Sequence, residues 1–430
     1  MQMAQDEFEV DIMHVNTDED HWKRFMKVLK KEYHRVKSNQ VGKVLVYGKA
    51  PQMNDFLAKA MVTSVFSEYM DKNMPLKLSA ASSAMERKEK ILPIDLKPEI
   101  TTYLFYSTKL CIVQACPNLK EWQMVNFTNI KVYYNEKNKN NFFMEEDLEE
   151  IFCFERKSIE DMKKIDDILC YTKSALDAGW YVDIHLDEYY LSCKEGYNRR
   201  HYVHENLVYG YSDDREVVYA YGFGKNRKMV SYEIPYMEFL YAYEKGRIFY
   251  FSGASYLDGE YPYSLDLRKL RFQAAEEFTL EKFKLQLKEY ICPQKEEIVN
   301  DDFHVYGINV IAFIRNCIND NNINVIDFRT FQLLYEHKKC LLNRFCYLAE
   351  KYDKREELAG IIQEYKSIVS AYQNIRLVYL RQLKREENGW QTGERIKDIS
   401  VLREIEKRLE SLGKEERRII DMLLLTKNIS

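Results

Sequence analysis

The chain of 430 residues is predicted to be an α+β protein, on the evidence of two hydrophobic patterns and one turn. In 182–187, apolar Val182, Ile184 and Leu186 alternate with polar residues, which is typical of a half-buried strand. In 357–382, apolar residues recur every three or four positions, which is typical of a helix with one buried face. The turn-forming residues 212–215 separate two strand-like runs and predict an antiparallel hairpin.

The patterns divide the chain into three predicted regions. The first, 1–90, is a mostly helical or mixed region, with helices over 21–33 and 56–69 and a strand over 41–47. The second is a mixed domain, 91–265, built on a largely antiparallel sheet. Its strands are predicted at 182–187, 205–211, 216–223, 229–234 and 247–251, and a short helix at 235–245, closed by Gly246, precedes the last strand.

The third region, 266–430, is predicted to be an all-α helical domain, because its apolar residues follow helical spacing to the end of the chain. Ser400 is the expected N-cap of the last helix. The three clearest helices are predicted over 331–347, 357–382 and 401–425.

Composition excludes several classes of protein. The net charge of −4 argues against non-specific nucleic-acid binding, which needs a basic excess to displace counterions. No run approaches 18 apolar residues, so no membrane span is predicted, and the acidic start of the chain is unlike a signal peptide. The nine cysteines include no CxxC pair, which favours reduced thiols and a cytoplasmic location.

Two histidines, His201 and His204, stand just before the strand-like run 205–211. Three positions apart in an extended segment, they face opposite sides, so only one can face a given cleft. His204 directly precedes the apolar residues of the strand and is the better candidate. Spacing alone favours a pair of surface histidines or hydrogen-bonded core histidines over a functional pair.

A longer order of residues carries a family resemblance. From Gly179 to Asp213 the chain runs through a glycine, a short strand, an aromatic linker, His-x-x-His and an apolar strand, with the local sequences DEYY, HYVH and GYSD. This order resembles the papain-like acyltransferases typified by the butirosin-biosynthesis enzyme, which are related in fold to bacteriocin-leader peptidases and, more distantly, to transglutaminases. The resemblance covers about residues 95–255.

The resemblance implies a papain-like fold and an amide-forming reaction in an antibiotic-type pathway. In such enzymes the histidine that begins the strand, here His204, takes the proton from an upstream cysteine. The cysteine accepts an acyl group from the thioester of an acyl or peptidyl carrier protein and passes it to a small amine. Thioester-to-amide exchange is downhill, so neither an ATP site nor another cofactor is expected, and no Walker-type GxxxxGK[ST] motif occurs.

Cys111 is the favoured nucleophile, because Ser107 and Thr108 could cap a helix whose dipole stabilises a thiolate. Cys116, directly before Pro117, stays open as the alternative, because proline suits the first position of a helix. Either cysteine could instead be an inert buried thiol.

The family pattern is incomplete in one respect. The peptidase relatives carry an orienting Asp on the strand after the histidine strand, whereas 217–222 contains no carboxylate. Asn226, a tyrosine hydroxyl or a backbone carbonyl are the candidates to hold the imidazole instead.

The predicted substrate-binding residues are Asp183, Asp187 and Tyr219. Alternation places the two carboxylates on one strand face, where they could receive a cationic amine such as a diamine, or could form a solvated face. No metal site is predicted. Two other functions remain open: a non-catalytic papain-like scaffold, and a cysteine peptidase or amidase.

Overall fold

The computed structural model describes fourteen stretches of the chain, which form two compact units. The described residues are 8–12, 44–46, 76–77, 89–135, 139–144, 151–165, 167–225, 228–251, 263–271, 278–293, 297–299, 302–322, 326–386 and 396–426. One unit comprises residues 1–89 with 212–216, and the other comprises 90–211 with 217–430.

The described part of the first unit includes a small parallel sheet. Its strands are β1 (Phe8–Ile12), β2 (Val44–Val46) and β3 (Leu76–Lys77), in the order β2-β1-β3. Strand β2 falls within the predicted strand 41–47. The predicted helices 21–33 and 56–69 lie outside the described residues.

The largest sheet, here called the central sheet, has seven strands in the order β11-β10-β9-β8-β12-β7, and β4 pairs with β9. The pairs β8–β9, β8–β12, β7–β12 and β10–β11 are antiparallel. The strand bounds are β4 Glu89–Ile91, β7 Phe152–Arg156, β8 Tyr181–Asp187, β9 Val203–Ser212, β10 Val217–Phe223, β11 Met229–Pro235 and β12 Leu265–Leu270.

A second, four-stranded antiparallel sheet has the order β13-β14-β5-β6. Its strands are β5 (Ile130–Asn135), β6 (Lys139–Met144), β13 (Glu297–Val299) and β14 (Asp302–Tyr306). It joins strands from two parts of the chain that are far apart in sequence.

Ten α-helices lie in the described part of the chain. Their bounds are α1 Leu104–Gln114, α2 Lys120–Val125, α3 Ile159–Lys163, α4 Ile168–Asp177, α5 Tyr236–Phe249, α6 Leu280–Ile291, α7 Asn309–Asn319, α8 Phe328–Lys351, α9 Arg355–Arg385 and α10 Ile399–Leu425. None of these helices combines the length and apolar composition that a bilayer crossing needs.

The predicted α+β class, with antiparallel sheets and a helical C-terminal region, is confirmed. Strands β8 to β11 match the predicted strands to within two residues, and β9 and β10 are neighbours joined by the short connection 213–216. Because so short a connection cannot cross to a parallel partner, these two strands form the predicted hairpin. Helices α8, α9 and α10 contain the three predicted C-terminal helices.

Three local predictions were wrong. The predicted strand 247–251 is instead mostly helix, because α5 continues through Gly246 to Phe249. Strands β12, β13 and β14 lie in or across the region predicted to be wholly helical. β12 pairs with β7 and β8, and β14 with β5, which are distant in sequence and leave no local signal, and β13 is a three-residue strand paired with β14. The N-cap of α10 is Asp398, whose carboxylate accepts the backbone N–H of Ser400.

Candidate functional site

The register between β8 and β9 decides which predicted site residues share a face. Asp183 lies opposite Leu207 and Asp187 opposite Val203, whereas His204 lies opposite Leu186. Directly opposed residues of an antiparallel pair point to the same side of a sheet. His204 therefore lies on the opposite face from Asp183 and Asp187.

His201, not His204, has a carboxylate partner within hydrogen-bonding distance. His201 Nδ1 lies 2.6 Å from Asp187 Oδ2. The Asp187 side chain is fully buried, and its Oδ1 accepts the backbone N–H groups of Tyr189 (3.1 Å) and Tyr202 (3.0 Å). Since an ionised carboxylate can only accept a hydrogen bond, this contact fits the His201 tautomer that carries its proton on Nδ1.

Aromatic rings fix the plane of the His201 imidazole. It stacks on Tyr189, with centroids 4.3 Å apart, and on Phe249, with centroids 4.9 Å apart. The His201 side chain is 39% exposed, so the ring is held by its neighbours and still reaches solvent. We call His201, Asp187, Tyr189 and Phe249 the imidazole site.

Helix α5 brings Phe249 to the imidazole site through a close approach at Gly246. A Cβ at Gly246 would lie 3.0 Å from the backbone nitrogen of Asp187 and 3.1 Å from its Cβ. The missing side chain therefore allows the helix to pack directly on the residue that orients His201.

His204 has a weaker polar environment. Its Nδ1 lies 3.6 Å from Glu188 Oε1, which is beyond hydrogen-bond distance, and its ring lies 5.0 Å from that of Tyr202. The side chain is 22% exposed. The same Glu188 Oε1 lies 4.0 Å from the buried Nζ of Lys194.

Cys111 lies in the core. Its helix, α1, begins at Leu104, so Ser107 and Thr108 do not cap it; their hydroxyls donate to Leu104 O within the helix. The helix dipole stabilises a thiolate only in the first turn of a helix, and Cys111 lies beyond the first turn of α1. Burial and the nearby carboxylate of Asp183 raise the pKa of its thiol well above the usual range.

Cys116 occupies the N-cap position of a short 3-10 helix, Pro117–Leu119, with proline first, as predicted. It is half-buried. Hydrogen bonds among the described residues connect neither Cys116 nor Cys111 to His204. Asn226, the predicted orienting residue, lies outside the described residues.

Asp183 already has a partner. Its Oδ2 accepts from Arg268 Nε at 2.8 Å, and both side chains are buried. Burial raises the pKa of Asp183 to about 7, although the Arg268 guanidinium acts in the opposite direction. Tyr219 is also buried, with its ring 6.2 Å from that of Tyr209.

The structure pairs Asp187 with His201, whereas the sequence analysis assigns Asp187 to substrate binding and favours His204. The available signal was the spacing between Asp187 and the start of the His-x-x-His motif, but that spacing indicates a contact only once the connection between β8 and β9 is known. Among the described residues, no three His, Cys, Asp or Glu side chains converge in a way that could hold a metal ion.

Comparison with known proteins gives no family assignment. No protein-family model matches the chain, and no curated protein matches it.

Proposed function

We propose that the chain is an amide-forming acyltransferase in which His201 acts as the general base. The observation that carries the proposal is the 2.6 Å contact between His201 Nδ1 and the buried Asp187 carboxylate, made by a histidine side chain that is partly exposed to solvent. A carboxylate that fixes the tautomer and stabilises the imidazolium is what a general base needs.

The proposed reaction is direct. His201 Nε2 takes a proton from an amine as its nitrogen attacks the carbonyl carbon of an acyl thioester. The C–N bond forms, the C–S bond breaks, and the imidazolium returns the proton to the leaving thiolate, so amide and free thiol are the products. Asp187 stabilises the imidazolium from the moment the proton is taken up until it is returned.

The burial of Cys111 supports direct transfer over an acyl-cysteine intermediate. A thiol whose pKa is raised by burial is seldom ionised, and the thiolate is the reactive form. Asp183 and Asp187 are occupied by Arg268 and His201, so their contacts give no support to their predicted role in binding a cationic amine.

The substrate class and the setting rest on the sequence resemblance over 95–255. It supports a papain-like fold, a carrier-protein thioester as acyl donor, a small amine as acceptor and a place in bacterial specialised metabolism. All nine cysteines are free thiols, which agrees with a proposed cytoplasmic location.

Amide formation tests the proposal. The acceptor is 1,4-diaminobutane, and the donor is either an acyl thioester of N-acetylcysteamine or an acyl carrier protein loaded with the same acyl group. We expect His201→Gln and Asp187→Asn to lower the rate about 10²- to 10⁴-fold. His204→Gln and Cys111→Ser are the matched controls and should keep the wild-type rate. Intact mass should show no acyl adduct.

Other outcomes would overturn the proposal. Loss of activity in His204→Gln, together with a covalent acyl adduct on the wild type that is absent in Cys111→Ser or Cys116→Ser, would support the predicted Cys–His dyad instead. Release of free acid alone would indicate a hydrolase.

A non-catalytic scaffold is a second candidate, and the buried thiol of Cys111 favours it. In that case the wild-type protein should bind the loaded carrier and form neither amide nor acid.

A further inference from the structure

The connection 188–202 links β8 to β9 and carries His201. It leaves the central sheet after Asp187 and returns at Val203. The position of the His201 ring therefore depends on how this connection is held against the sheet.

Lys194 attaches the connection to the far strands of the central sheet. Its side chain is only 1% exposed, and Nζ donates to Phe223 O at 2.7 Å and to Tyr232 OH at 2.7 Å. Phe223 ends β10 and Tyr232 lies in β11. The Tyr232 hydroxyl donates onward to Asn206 Oδ1 in β9 at 2.6 Å.

The Lys194 ammonium group is held by directional contacts. Nζ also lies 4.2 Å from the centre of the Tyr232 ring and 4.0 Å from Glu188 Oε1. A buried ammonium group is costly unless such partners replace its water, so a side chain of this kind remains buried only while its contacts persist. Burial lowers the pKa of Lys194 to about 8.

The contacts made after Lys194 are mostly local. The backbone N–H groups of Arg199 and Arg200 both donate to Gly196 O, and that of Asn198 donates to Tyr189 O. These bonds shape the connection but do not link it to β10 or β11. The Lys194 contacts do.

We infer that Lys194 is a positioning residue that fastens the connection 188–202 to strands β10 and β11 and thereby holds His201 against Asp187 and Phe249. The Lys194 contacts support this positioning role whatever reaction the protein catalyses; the consequence for reaction rate rests on the proposed function.

Native-state hydrogen exchange of the full chain, followed by mass spectrometry, tests this inference. We expect amides in 195–202 to exchange about tenfold faster in Lys194→Met, because one buried attachment is lost. Tyr232→Phe, which keeps the ring and removes the hydroxyl, should show a smaller increase in the same segment. The imidazole chemical shifts of His201, measured by NMR, should change in both variants, because the ring would lose its fixed position beside Tyr189 and Phe249.

Tyr209→Phe is the matched control, since it removes another hydroxyl of the central sheet, one that bonds Ser231 at 2.6 Å. It should leave exchange in 195–202 unchanged. If Lys194→Met fails to fold, Tyr232→Phe carries the test.

Unchanged exchange in 195–202 for a folded variant would overturn the inference, as would an equal increase in every segment. If Lys194→Met exchanges faster in 195–202 but the wild type forms no amide, the proposed function is wrong and this inference stands. If the wild type forms amide but Lys194→Met exchanges at the normal rate, this inference is wrong and the proposed function stands.

Discussion

Burial shifts the pKa of several ionisable side chains in and around the central sheet. It raises the pKa of Asp183 to about 7, lowers that of His185 to about 4 and lowers that of Lys194 to about 8. Each of these groups is turned toward other protein groups. His201 differs because it combines a buried carboxylate partner with access to solvent, which a proton-transferring group requires.

At the same scale, Lys194 should make stability depend on pH. Its pKa of about 8 lies below the ordinary value of 10.5, so between these values the unfolded chain binds more protons than the folded one. The free energy of unfolding should then rise with pH relative to Lys194→Met, by up to about 1.4 kcal/mol per pH unit. Below pH 8, this pH-dependent difference should level off.

Urea unfolding of both proteins at pH 7.5, 8.5 and 9.5 measures this difference. Because the buried tyrosines and cysteines titrate in both proteins, their contribution to the pH dependence cancels when the free energies of unfolding of the wild type and Lys194→Met are compared. Parallel pH dependences would show that Lys194 keeps an ordinary pKa.

Among the structural elements, helix α5 shows why a glycine can be misread. Gly246 was interpreted as the end of a helix, where positive φ favours glycine. The positive-φ glycines of the described residues are Gly179 and Gly307, and Gly246 lies inside the helix. Glycine is required there for space, because a Cβ would lie only 3.0 Å from Asp187 N, and this contact between distant residues is invisible in the local sequence.

Two glycine substitutions should therefore have opposite effects. Gly246→Ala should lower the free energy of unfolding by about 1–3 kcal/mol through overpacking against Asp187. Gly360→Ala, in α9, meets no atom within 4 Å and should raise it by up to about 1 kcal/mol through helix propensity. Urea unfolding of both variants checks the signs, and stabilisation by Gly246→Ala would contradict the proposed close approach.

Local patterns predicted the elements whose signal lies within one segment. Strand β8 and helix α9 were found because alternation and three-to-four spacing need no knowledge of partners. Strand β14 was missed because its apolar residues have meaning only beside β5. The contact between His201 and Asp187 was not predicted for the same reason, since it depends on where the connection 188–202 folds.

At the scale of the whole molecule, the helical C-terminal region has a polar centre inside an apolar core. Lys338 of α8 and Glu416 of α10 form an ion pair of 2.9 Å with both side chains fully buried. Tyr365 of α9 donates to Glu416 at 2.6 Å, and Lys338 donates to Tyr290 of α6 at 2.5 Å. Four helices therefore meet at one set of directional contacts, which favours a single arrangement over other apolar packings.

Breaking this buried pair should be far more damaging than its net contribution suggests. Lys338→Met or Glu416→Leu should each lower the free energy of unfolding by about 3–5 kcal/mol, because each leaves a buried charge without its partner. The double variant should lose clearly less than the two single losses combined, since neither charge remains. Urea unfolding of all four proteins completes the double-mutant cycle.

The matched control is Lys414→Met, also on α10, which removes an exposed pair with Glu410 and should cause no measurable loss. Additive losses in the double variant would mean that Lys338 and Glu416 act separately, and that the polar centre does not fix the arrangement of the four helices.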